Sequence, residues 1–165
     1  MAFTATEPRI VPQAIATTST TQTHPLGTVV RAVDSTYGEG EFIYLQGIGS
    51  TTVGSIVEYN NTYVTALSTV ALETPVPLAV AMSANVASQY GWYQISGESV
   101  MVKTATVSFA ADALVGSAAG LAIAVVTGLV IQGALCAVVA SAATGVTTVR
   151  VMINRPCATD KIDET

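Results

Sequence analysis

The sequence predicts an all-β fold: a compact β-barrel or jelly-roll-like sandwich carrying an extended N-terminal arm. Three observations lead there. Short runs of β-branched and aromatic residues recur between clusters of Gly, Pro, Asn and Ser. The uncharged stretch 113–149 alternates large and small side chains with period two. Outside that stretch no segment sustains the i, i+3, i+4 apolar spacing of a helix.

Taken in chain order, residues 1–25 form the arm. They hold Thr17-Thr18-Ser19-Thr20-Thr21-Gln22-Thr23 with Pro8, Pro12 and Pro25 around it, a composition that buries little on its own. Within it, Arg9, Ile10, Val11 and Pro12 are candidate contacts to a neighbouring subunit. The β-rich body spans 26–157, and 158–165 is a polar tail. Residues 27–33 form a first strand. Residues 41–46 form a second, with Phe42 and Tyr44 on one face and Ile43 and Leu45 on the other. Strands at 55–59 and 62–67 are joined by Asn60-Asn61, since Asn tolerates the positive φ of a two-residue turn. Further strands follow at 76–82, 90–95 and 99–107.

Residues 113–149 decide between membrane and soluble sheet. Residues 114–134 are long enough to span, at about 20 apolar residues, and Gly116 and Gly120 make a GxxxG pair. Against this stand the glycines at 116, 120, 128, 133 and 145, the alternation of Leu121, Ile123 and Val125 with Ala122, Ala124 and Val126, and the absence of Lys/Arg or aromatic flanks. The expectation is packed strands, with 113–119 as a short helix or crossover. In the last strand, 148–155, Val149, Val151 and Ile153 face inward, Arg150 and Asn154 outward, and Pro156 ends it.

Composition bounds the function. The 165 residues suit one domain, and half are hydrophobic while only 10% are charged, well below the roughly 25% usual in soluble domains. So little charge favours a subunit that contacts other chains. A net charge of −5 argues against nucleic acid. Cys136 and Cys157 are too few for a disulfide scaffold. No basic segment followed by an apolar run marks a secretory signal, so a cytoplasmic origin is expected.

Catalytic signals are thin. His24, the single histidine, is read as an exposed arm residue with no partner to make it a general base. One His and two Cys assemble no zinc set. Glu39 and Glu41 share a face and could meet a hard cation, but a turn leading into a strand accounts for them. The glycines of 47–54 lack dinucleotide and P-loop spacing. Asn60-Asn61-Thr62 matches a glycosylation sequon that means little without secretion. Tyr90, Trp92 and Tyr93 suit interface anchors or, alternatively, a sugar-stacking surface. No enzyme, cofactor or metal is expected.

Several blocks carry a resemblance. Tyr37-Gly38-Glu39-Gly40-Glu41-Phe42-Ile43-Tyr44-Leu45-Gln46-Gly47 and Val53-Gly54-Ser55-Ile56-Val57-Glu58-Tyr59-Asn60 resemble small head proteins of tailed bacteriophages. So do Val80-Ala81-Met82-Ser83-Ala84-Asn85, Gln89-Tyr90-Gly91-Trp92-Tyr93-Gln94-Ile95 and Val149-Arg150-Val151-Met152-Ile153-Asn154-Arg155-Pro156. The resemblance implies a capsid decoration, or cement, protein: a β-rich dimer or trimer on the outside of an icosahedral head, made in the bacterial cytoplasm. Its partners would be the major capsid protein and its own copies, with no nucleic acid or membrane. The contact residues expected are Arg9, Ile10, Val11, Pro12, Tyr90 and Trp92, and removing residues 1–25 should weaken shell binding yet leave the body folded. The alternative is a phage tail receptor-binding or carbohydrate-binding β-module, with Trp92, Tyr90 or Tyr93 in an open groove.

Overall fold

A computed structural model describes residues 4–5, 13–68, 75–113, 115–125, 130–143, 145 and 147–159. The fold is all-β, and the described residues contain no helix. Among the described residues eleven strands run in chain order: β1 (Thr4–Ala5), β2 (Val29–Asp34), β3 (Gly38–Gln46), β4 (Ile56–Tyr59), β5 (Thr65–Leu67), β6 (Val76–Ala81), β7 (Tyr90–Val102), β8 (Val115–Ala118), β9 (Leu121–Ala124), β10 (Val130–Cys136) and β11 (Thr148–Thr159). Nine belong to one antiparallel sheet, ordered β1-β2-β3-β7-β11-β6-β4-β5 with β10 on β11, and β8–β9 is a separate hairpin.

The sheet curls because β7 is shared. Its first half pairs with β3 and its second half with β11, while β6 meets it at Gln94 and Tyr93. The curl brings β5 back to β3, where a parallel bridge joins Gln46 and Val64. β3, β7, β6, β4 and β5 thereby enclose a small barrel-like interior of Ile43, Leu45, Val57, Ala79, Ala81, Tyr93 and Ile95. The opposite face of β3 carries Phe42 and Tyr44, which pack with Ile15, Val30, Ala32, Met82 and Trp92. One strand thus feeds two cores, as its period-two pattern requires. A third core lies under β6, β7, β10 and β11, covered by the β8–β9 hairpin.

The described residues of the uncharged stretch form β8, β9, β10 and the start of β11 with turns and loops between them, and no helix among the described residues is long and apolar enough to cross a membrane. Residues 115–118, expected within a helix or crossover, are β8. Ala119 and Gly120, at φ 49° and 76°, make the two-residue turn to β9, whose twist fits the right-handed twist of the strands. The buried residue of β9 is the small Ala122, while Leu121 and Ile123 are half-buried on its other face.

Four local expectations are corrected. The strands expected at 90–95 and 99–107 are one strand, β7, which ends at Val102, because Gly97 carries the chain through φ 97° without ending it. The amide of Gln94 spans the irregularity, donating to the carbonyls of Ser96 (3.1 Å) and Glu98 (3.0 Å). Pro156 does not end the last strand. It sits where Arg155 (φ 44°) and Gly133 (φ 75°) bulge on facing strands, so its missing N–H costs no ladder bond. The β4–β5 connection is longer than two residues: Asn60 Oδ1 accepts from the backbone of Thr62 and Val64, and Tyr63, not an Asn, takes the positive φ. Finally, residues 13–25 do not project as an arm.

That last segment lies on the body. Gln13 is buried, its Nε2 donating to the carbonyls of Thr17 (2.8 Å) and Tyr90 (3.0 Å). Its Oε1 accepts from the hydroxyls of Tyr44 (2.7 Å) and Thr23 (2.9 Å). Ile15 is buried with Trp92 and Tyr44, and Ser19 exchanges backbone hydrogen bonds with Tyr90. His24, expected to be exposed, is buried against the rings of Tyr44 and Trp92 at 5.1 and 5.2 Å. The Thr-rich composition misled because its threonines face outward while Gln13, Ile15 and His24 fill the core.

Candidate functional site

Trp92, expected as a partner contact, is fully buried, as is Tyr93. The indole is enclosed because Ile15 and His24 close over it. Tyr90 is half-buried, stacked on Tyr44 at 6.3 Å with its backbone tied to Ser19. These three aromatics therefore form no open groove for a sugar. Arg9, Ile10, Val11 and Pro12 lie outside the described residues.

An exposed apolar surface lies instead on the outer face of β10 and β11. Leu135 and Met152 are directly opposite each other across the ladder, 44% and 49% exposed. Alternation sends their neighbours Ala134, Cys136, Val151 and Ile153 into the core. The bulge at Gly133 opens a groove of about 370 Å³ beside them, lined by Gly133, Ala134, Leu135, Met152, Ile153 and Asn154. Gly133 is required there, since a Cβ would lie 2.6 Å from the Asn154 carbonyl. The loop after β10 adds Val138 and Val139, both exposed.

Charge gathers around this face. On β7, Glu98 pairs with Met152 in register, and its carboxylate accepts a hydrogen bond from Arg150 Nε. That bond raises the Arg150 pKa, and the guanidinium lies 5.3 Å from the centre of the Tyr37 ring. A second groove, about 390 Å³, is lined by Arg31, Glu39, Gly40, Glu41, Ser96, Asn154 and Arg155. Glu41 is held between Arg31 (3.3 Å) and Arg155 (2.8 Å), so ion pairs account for this carboxylate without a cation. Among the described residues no cluster of three or more His, Cys, Asp or Glu could hold a metal. Asn154 lines both grooves, which places an apolar patch against a rim of both charge signs.

An apolar centre beside a polar, Arg-containing rim is the anatomy of a protein–protein contact. His24 is enclosed, and burial lowers its pKa. Cys136 is buried, which raises the pKa of its thiol. Sequence reasoning placed Arg150 and Asn154 on the outward face of the last strand but passed over Met152, which the same period puts between them. Leu135 had no such signal, because its outward direction depends on the Gly133 bulge. No family model, curated protein or solved structure matches the chain.

Proposed function

We propose that the protein is a capsid decoration, or cement, protein that binds the outer surface of an assembled icosahedral phage head and stabilises it. Support comes from the outer face of β10 and β11, where the Leu135–Met152 pair and its groove meet the charged rim at Asn154. Such a face suits one flat protein partner better than a small molecule, which calls for a more enclosed cavity. The low charge of the chain and the resemblance of its blocks 37–47, 53–60, 80–85, 89–95 and 149–156 to phage head proteins point the same way. In this reading the partners are the major capsid protein and other copies of the chain, and each weak contact is reinforced by repetition over the lattice.

The test is electron cryomicroscopy of expanded heads lacking the protein, imaged before and after adding it. Added density of this size at symmetry-related positions outside the shell is expected. Heads that gain no density, or density confined to the tail, would refute the reading.

A further inference from the structure

Among the described strands the sheet begins with β1, at the edge of β2. Among the described residues, Thr4 and Ala5 pair with Val33 and Ala32 near one end of β2. Val29 and Val33 are exposed on the outward face of β2. From Gln13 onward the chain is fixed: the Gln13 side chain bonds Tyr44, Thr23, Thr17 and Tyr90, and the Trp92 indole donates to its carbonyl. The described members of the three cores all lie beyond residue 12, outside β1. The chain from Ala5 to Gln13 spans up to roughly 27 Å when extended, enough to reach an adjoining molecule.

We propose that β1 is an exchangeable strand: in the assembled protein the β2 edge of one copy receives the Thr4–Ala5 strand of a second copy. The occupant is set by the edge itself, which already accepts this segment in a defined antiparallel register. Exchange keeps those backbone hydrogen bonds and adds a link between copies, the low-cost route by which identical chains associate. The inference does not depend on what the assembled protein binds.

Two chains, each with one introduced cysteine, test it. One carries Thr4→Cys and the other Val33→Cys, both with Cys157→Ser, leaving only the buried Cys136 as a further thiol. Residues opposite each other on paired strands come within disulfide reach. After co-expression, purification and mild oxidation, a disulfide between positions 4 and 33 can form only between chains. A covalent dimer on a non-reducing gel, lost with reductant, is the expected result. A control chain carrying both cysteines reports whether β1 reaches β2 at all. Internal linkage in the control with no dimer from the mixed pair overturns exchange, and no linkage in either overturns the use of the β2 edge by β1.

Discussion

The indole Nε1 of Trp92 donates a 3.1 Å hydrogen bond to the backbone carbonyl of Gln13, 79 residues earlier in the chain. Both groups are buried, so the bond satisfies a donor that would otherwise be stranded in an apolar site. It marks where the N-terminal segment stops being separable from the body. Tyr44, whose hydroxyl donates to Gln13 Oε1 at 2.7 Å, ties β3 to the same residue.

Two truncations separate the segment into its parts. The Gln13 network and the described members of all three cores lie beyond residue 12, so removing residues 1–12 should leave the urea midpoint close to that of the full chain. Removing residues 1–25 strips Ile15 and His24 from Trp92 and Tyr44. Ile15 alone contributes about 1.5–3 kcal/mol by burial, and the uncovered aromatics add to that. Trp92 is the single tryptophan, so its emission should shift to the red in the longer truncation only. An unshifted spectrum there would contradict the packing of residues 13–25.

Two glycines with positive φ should respond differently to alanine. At Gly38, φ 73°, a Cβ meets nothing within 4 Å, so Gly38→Ala should cost only the left-handed strain, about 1 kcal/mol. At Gly97, φ 97°, a Cβ would overlap the Glu39 carbonyl, which is backbone and has little room to shift. Gly97→Ala should cost at least about 3 kcal/mol, strain and clash together. Urea unfolding of the two variants checks the order. Equal losses would mean that β7 does not pass through this kink.

Acid should weaken the fold partly through His24. Burial lowers its pKa from the ordinary 6.5, and its Nε2 has no hydrogen-bond partner among the described residues. The folded state therefore holds the imidazole neutral while the unfolded chain takes up a proton below 6.5. Stability from this group is present above pH 6.5 and is lost as pH falls below it. In His24→Phe the urea midpoint should fall less between pH 7 and pH 5 than in the natural chain. Parallel pH profiles for the two proteins would place His24 in solvent.

Much of the fold is legible in the sequence because strands alternate. β3 is the clearest case: Phe42 and Tyr44 enter one core while Ile43 and Leu45 enter another, as their period-two order predicts. The uncharged stretch is likewise readable as strand from its glycines, of which Gly120 sits in a turn and Gly133 in a bulge. What escaped depends on backbone events without a composition signature. Gly97 looks like a strand end but is a kink within β7, and Pro156 looks like a stop but falls where two bulges face each other. His24 and Gln13 were hidden because a polar, Thr-rich segment can still bury two or three side chains that have partners waiting 20 to 80 residues on. The apolar face was half legible: Met152 follows from alternation, whereas Leu135 depends on the register change at Gly133.

The most direct measurement is co-sedimentation of the protein with expanded heads, comparing the natural chain with Leu135→Glu/Met152→Glu. Both side chains are exposed, but the new carboxylates face each other and Glu98 across the ladder, so the double variant should lose about 0.5–2 kcal/mol and still unfold in one cooperative urea transition. A buried apolar contact that receives two carboxylates loses affinity by far more than that. The natural chain should pellet with the shells at saturating, symmetry-set occupancy, and the folded double variant should stay in the supernatant. Failure of the natural chain to bind, or equal binding by both proteins, would contradict a shell contact centred on the Leu135–Met152 pair.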